Sequence, residues 1–154
     1  MVEPECLYDR MLLLGLNDDE LEAVAKIAER KNYTAGEMIA KEGEMGDRVY
    51  LIDQGKVEII KEQPDGKVQQ LNVLSEEVSL AQQYHGGFFG EMSLLDAEPR
   101  SASVRALTDC SIIELKNMDL REIFVQNRNI QLIMTINVAR ILSRRLRETN
   151  AKMA

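Results

Sequence analysis

The residues best suited to chemistry lie together at positions 86–104: Gly86-Gly87-Phe88-Phe89-Gly90-Glu91-Met92-Ser93-Leu94-Leu95-Asp96-Ala97-Glu98-Pro99-Arg100-Ser101-Ala102-Ser103-Val104. Glycines let a backbone approach a ligand closely. Residues 92–97 are long enough for one or two helical turns, whose free N–H groups can face an anion. Arg100 follows, a permanent cation whose forked donors suit a phosphate. A helix start beside an arginine is a coherent anion site. On residue types alone it competes with a plainer arrangement, a glycine-rich surface loop carrying a solvated arginine.

Other chemistries have little material here. A cupin-type metalloenzyme needs several histidine and carboxylate ligands on one metal. This chain has a single histidine, His85, with no His-x-His partner. No serine or cysteine stands in a known spacing to it for nucleophilic catalysis. The two cysteines, Cys6 and Cys110, are far apart and in no ligand spacing. The expectation is therefore a protein that is not an enzyme and uses neither metal nor cofactor.

The elements that must position the segment are set by length and pattern. A chain of 154 residues fits one domain with its own core. Apolar content of 45% and charged content of 29% are those of a soluble protein. No run approaches the roughly 18 apolar residues of a membrane span, and the acidic start is no signal peptide. Both cysteines then read as reduced thiols, and the expected location is the cytoplasm. Net charge is −7, unevenly spread: residues 140–154 carry five cations and one acid, leaving −11 on the rest. An acidic body repels nucleic acid. The basic end reads as a solvated helix face whose cations suit a helix C-terminus.

Asn17 and Glu20 have the spacing of a capping box, with Leu16 and Leu21 placed for a hydrophobic staple. The apolar stripe that follows predicts a helix ending near Lys31-Asn32. Glycines at 36, 43, 46 and 55 then punctuate short β-rich runs. Strands are predicted at 49–52, 57–60, 68–74, 103–107 and 110–115, with a further one at 78–84. Turns fall at Gln54-Gly55, Pro64-Asp65-Gly66 and Thr108-Asp109. Many short strands at regular spacing indicate an antiparallel sandwich or barrel. Helix returns near Leu120, with Asn117 or Asp119 as candidate cap. It breaks at 127–129 and resumes over 130–149. There Leu132, Thr135, Ala139, Leu142, Leu146, Thr149 and Met153 keep heptad spacing, a seam that wants a partner helix. A second line (Ile130, Ile133, Met134, Ile141) is free to pack on the β body.

The run Phe89-Gly90-Glu91-Met92-Ser93-Leu94-Leu95, then Pro99-Arg100-Ser101-Ala102-Ser103-Val104, resembles the phosphate-binding cassette of cyclic-nucleotide-binding domains. Its Gly-Glu to Arg spacing is similar to that of protein kinase A regulatory subunits, and its Arg-Ser-Ala step to that of catabolite activator proteins. The resemblance extends over about residues 16–152. It implies an α+β fold: an antiparallel, jelly-roll-like β-roll (about 33–116) with an N-terminal helix and C-terminal helices (about 117–152), the last a long dimerisation helix. It implies that Glu91 accepts from a ribose 2′-hydroxyl and that Gly90 lets the backbone close on the sugar. Met92 and Ser93 would offer backbone N–H groups. Arg100 would pair with the phosphate, while Ser101 and Ala102 add a hydroxyl and backbone donors.

The base is assigned less directly. The end of the last helix is similar to that of catabolite activator proteins, where a Thr-Ser pair contacts adenine, one residue from each subunit. Here the pair is Thr149-Asn150, and an amide can also read an adenine edge. Solvation of the helix end is the alternative role. Ser101 and the Thr149-Asn150 pair favour cyclic AMP over cyclic GMP. The stretch 67–90 is longer than in catabolite activator proteins, with the extra residues within 74–83. No segment resembles a helix-turn-helix. The expectation is a single-domain sensor that binds cyclic AMP, forms a homodimer and touches neither nucleic acid nor membrane. Its effector is not written in the chain. A catabolite-activator-type regulator cut before its DNA-binding domain and a scaffold that has lost its ligand are the competing readings.

Overall fold

Helix α1 (Asp18–Ile27) begins where its capping box lies. Asn17 Oδ1 accepts from the Glu20 N–H at 2.8 Å, and Glu20 Oε1 accepts from the Asn17 N–H at 3.1 Å. Leu16 and Leu21 are both buried in one core. The helix stops at Ile27, short of the expected Lys31-Asn32. Ala28 turns extended, and Glu29–Tyr33 become strand β1. That exposed, charged run looks helical in composition. Its register against a later strand, with Glu29 opposite Glu114 and Tyr33 opposite Cys110, gives its backbone groups ladder partners instead.

The computed structural model describes residues 1–76, 87–95 and 98–153. Strands β2 (Met38–Ala40), β3 (Arg48–Gln54), β4 (Lys56–Glu62), β5 (Val68–Ser75), β6 (Phe88–Phe89), β7 (Ser103–Ala106) and β8 (Cys110–Lys116) complete two antiparallel four-stranded sheets. Their orders are β1-β8-β3-β6 and β2-β7-β4-β5. The turn at Pro64-Asp65-Gly66 joins paired neighbours, β4 and β5. The turns at Gly55 and at Thr108-Asp109 instead carry the chain from one sheet to the other. Gly55 sits at φ 94°, which an L side chain resists. Together the sheets form the expected β-roll. The strand predicted at 78–84 lies outside the described residues.

Strand β3 shows how the two faces divide. Tyr50 and Ile52 point into the core between the sheets, with Val57, Phe89, Val104 and Ile112. Val49 and Leu51 point the other way, into a core shared with the helices. This is the period-2 alternation of a strand buried on both faces.

Helices α2 (Asn117–Gln126) and α3 (Arg128–Met153) close that second core. Neither Asn117 nor Asp119 caps α2. Lys116 holds the cap position, without a side-chain bond, and Asn117 lies one residue inside the helix. Asn127 ends α2 and starts α3, its Oδ1 accepting from the N–H groups of Asn129 (3.0 Å) and Ile130 (3.3 Å). On α3 the second apolar line packs inward: Ile130, Met134 and Ile141 are buried, with Ile133 against them. Of the heptad line, Leu142 packs partly against the same core, while Leu132 (58% exposed) and Leu146 (62% exposed) stay outside. No helix among the described residues is long and apolar enough to cross a membrane.

Candidate functional site

A cavity of about 330 Å³ opens beside the second sheet. Gly90, Glu91, Met92, Ser93, Arg100, Ser101 and Ala102 all line it, so the fold brings the seven cassette residues together. Ile59, Phe89 and Val104 give it an apolar wall. Thr149 and Asn150 do not join them. Both are exposed on α3, and the Thr149 hydroxyl donates to the Arg145 carbonyl of its own helix at 2.9 Å.

The cassette is held from below by aromatic packing. Strand β6 pairs with β3, setting Phe89 opposite Tyr50. Their rings stack with centroids 4.5 Å apart and planes 8° from parallel. Gly90 then turns at φ 82°, and a Cβ there would lie 2.7 Å from the Arg48 carbonyl oxygen. Only glycine makes that turn. Residues Glu91–Leu94 follow as a single 3-10 turn. The Ser93 N–H donates to the Gly90 carbonyl at 3.2 Å, and its hydroxyl donates there at 2.7 Å. Asn117 Nδ2 in turn donates to Ser93 Oγ at 2.9 Å, tying the turn to the start of α2. Gly46 presses on the other side, where a Cβ would come within 2.7 Å of Ser93 Cβ.

Arg100 is fixed through its backbone. Its N–H donates to the Glu44 carbonyl and its carbonyl accepts from the Gly43 N–H, both at 2.9 Å. The guanidinium lies over the Tyr50 ring, with Cζ 5.5 Å from the centroid. That contact orients a cation without neutralising it. Among the described residues Arg100 has no ion-pair partner. Beside Tyr50, the nearby charges are already matched to one another. Arg48 donates to Asp47 at 2.9 Å and to Glu114 at 2.9 Å, and the Tyr33 hydroxyl donates to Glu114 at 2.6 Å. Hydrogen bonds from Arg48, helped by the charge of Arg100, hold the Asp47 carboxyl below its usual range. Burial pushes the Tyr50 phenol up. The arrangement leaves Arg100 oriented at the cavity with no ion pair among the described residues, which suits an anion.

Glu91 is only 4% exposed, and its Oε1 accepts from Arg145 Nη1 of α3. Arg145 Nη2 also donates to the Phe88 carbonyl at 2.8 Å, and its Cζ lies 5.1 Å from the Phe88 ring centroid. No donor to Glu91 Oε2 is found among the described residues. Sequence reasoning missed Arg145, placing it in the solvated basic run. A signal was present: a carboxylate destined for burial needs a cation, and Arg145 lies one helical turn before Thr149. Among the described residues no group of His, Cys, Asp and Glu could hold a metal.

Comparison with known proteins places this geometry. The chain is 32% identical over 142 residues to the cyclic AMP receptor protein of Thermus thermophilus, covering 92% of this chain and 60% of that protein. It is 36% identical over 104 residues to the cAMP-dependent protein kinase regulatory subunit of Aspergillus fumigatus, covering 68% of this chain and 22% of that subunit. The chain thus spans less than two thirds of the length of either relative. A crystal structure of a cyclic nucleotide-binding domain from Methylobacillus flagellatus shares the fold, with a TM-score of 0.81 at 22% identity over 97% of this chain and 81% of that one. The family model for the cyclic nucleotide-binding domain matches residues 30–127. With that match spanning more than half of its length, the chain belongs to the cyclic nucleotide-binding domain family.

Proposed function

We propose that this domain binds cyclic AMP as a regulatory sensor and carries no catalytic machinery. The observation that carries the reading is that Arg100, without an ion pair among the described residues, and Glu91, engaged there through Oε1 alone, stand at opposite ends of the cassette lining one cavity. Arg100 takes the cyclic phosphate. Glu91, oriented by Arg145 through Oε1, accepts the ribose 2′-hydroxyl through Oε2. Gly90, Met92, Ser93, Ser101 and Ala102 close the backbone around the sugar phosphate. Because Glu91 is bound to α3, occupancy at the cassette biases the position of that helix.

The base reaches past this protomer. Thr149 and Asn150 lie beyond the cavity, one turn after Arg145. A homodimer through the exposed heptad line of α3 brings the partner's end of the helix to the base. The resulting unit is one cytoplasmic domain, with Cys6 and Cys110 as free thiols, and an effector that lies outside these residues. Charged hydrogen bonds contribute about 1.5–3 kcal/mol each. With base burial they support micromolar binding, roughly −8 kcal/mol. Titration calorimetry with cyclic AMP and cyclic GMP side by side tests this. Micromolar binding with cyclic AMP the tighter is expected. Absence of heat with both nucleotides refutes the reading, and tighter cyclic GMP refutes the base preference alone.

A further inference from the structure

We infer that Glu98 sets the charge this cavity accepts, admitting a singly charged cyclic phosphodiester and disfavouring a doubly charged phosphomonoester. The inference rests on the cyclic nucleotide reading above. Among the described residues, four charged side chains line the cavity: Glu91, Glu98, Arg100 and Arg145. Glu91 and Arg145 neutralise each other. The charges beside Tyr50 are likewise matched, Arg48 and Lys31 against Asp47 and Glu114. What remains is Arg100, the cation that receives the phosphate, and Glu98, exposed at the mouth with no ion-pair partner among the described residues.

Glu98 is held near Arg100 by the backbone that follows it. Pro99 bridges to Met45, and the Arg100 N–H donates to Glu44. A carboxylate at that mouth repels any phosphate bound on Arg100. Coulomb energy scales with the product of the charges, so a ligand of charge −2 meets twice the repulsion met by a ligand of −1. A cyclic phosphodiester carries −1 at neutral pH. A terminal phosphomonoester loses its second proton near pH 6 and carries close to −2 at pH 7.5. One unmatched cation suits the first, and Glu98 penalises the second. Linear 5′-nucleotides are the competitors such a sensor must reject, and specificity against them needs a repulsive element.

The test is displacement of a fluorescent cyclic AMP analogue from the full chain by cyclic AMP and by 5′-AMP, at pH 7.5 and low salt. Glu98→Gln removes the charge and keeps the shape. It is expected to tighten cyclic AMP about threefold and 5′-AMP about tenfold, near the square of the first factor. Glu98→Asp, which keeps the charge, leaves both close to wild type. Equal factors for the two ligands, an unchanged 5′-AMP affinity in Glu98→Gln, or an equal response in Glu98→Asp overturns the inference and leaves cyclic nucleotide binding standing. A wild-type chain that binds neither the analogue nor cyclic AMP removes the underlying reading, and the inference with it.

Discussion

Arg145 of α3 and Glu91 of the cassette form an ion pair, so the long helix and the cavity are one mechanical unit. Glu91 is nearly inaccessible, and removing its cation leaves a buried carboxylate uncompensated. Arg145→Gln is therefore expected to weaken cyclic AMP binding about tenfold or more and to lower the melting temperature by a few degrees. Arg145→Lys recovers little, because one ammonium cannot span the Glu91 carboxylate and the Phe88 carbonyl as the forked guanidinium does. Calorimetry on both variants, with affinity unchanged in Arg145→Gln, would remove Arg145 from the site.

Arg100 differs in kind, because folding makes little use of its charge. Its backbone is anchored, and its guanidinium lies over the Tyr50 ring with no ion-pair partner among the described residues. Arg100→Ala should lose on the order of 10–100-fold in cyclic AMP affinity, the range expected of a charged hydrogen bond. Thermal stability should stay within about 1 kcal/mol of wild type. A variant that binds as tightly as the parent would place the phosphate elsewhere.

The link between Asn117 and Ser93 makes a subtler prediction. Asn117 is buried, and its Oδ1 has no hydrogen-bond partner among the described residues. Such an orphan acceptor costs about 1–3 kcal/mol, close to what its donation to Ser93 returns. Asn117→Ala should therefore shift stability little while loosening the cassette turn and weakening cyclic AMP several-fold. Ser93→Ala should do the same, and the double variant should be no worse than either single one. Additive losses in that cycle would show that the two residues act separately.

Where the sequence was legible follows from how local each signal is. The capping box at Asn17 and Glu20 and the break at Asn127 are settled within a turn or two of chain. The cassette lies on one continuous segment, so its residues stay together in the fold. The overrun of α1 past Ile27 came from Glu29–Tyr33, whose strand identity depends on β8, far along the chain, with Glu29 opposite Glu114 and Tyr33 opposite Cys110. Arg145 and Asn117 were misread for the same reason. Each looked like a solvated or capping residue beside its sequence neighbours. Their partners Glu91 and Ser93 are distant in the chain, and only the fold brings them within reach.

Glu20 predicts how the domain responds to acid. Beyond its capping box, its Oε2 accepts from Asn127 Nδ2 at 3.2 Å and Asn129 Nδ2 at 2.9 Å, fastening α1 to the α2–α3 corner. Burial works to raise its pKa. The bonds from Asn129, Asn17 and Asn127 outweigh it, so the folded value lies below the ordinary one. A depressed carboxylate binds more protons when unfolded. Its stabilisation is therefore complete above about pH 4.3 and is lost as pH falls through the folded value. Glu20→Gln should be less stable at pH 7 by about 1–3 kcal/mol. Urea midpoints measured from pH 7 to pH 3 should show the gap to wild type closing in acid. A gap constant with pH would mean that Glu20 acts through shape and not charge.

The exposed heptad line on α3 predicts association. Leu132 and Leu146 stand more than half exposed on a helix whose other apolar line is already buried. Apolar side chains repeated at that spacing gain about 25 cal/mol for each Å² removed from water when a second helix covers them. Because Leu146 contributes little to the single chain, Leu146→Glu should leave the monomer folded and place two carboxylates against each other in any α3–α3 pair. Sedimentation velocity is expected to give a dimer for the parent and a monomer for the variant, with circular dichroism unchanged. If Thr149 and Asn150 read the base across that interface, Leu146→Glu also weakens cyclic AMP while leaving Arg100 and Glu91 in place. A parent that sediments as a monomer at tens of micromolar, with and without cyclic AMP, would leave the base to residues of one protomer.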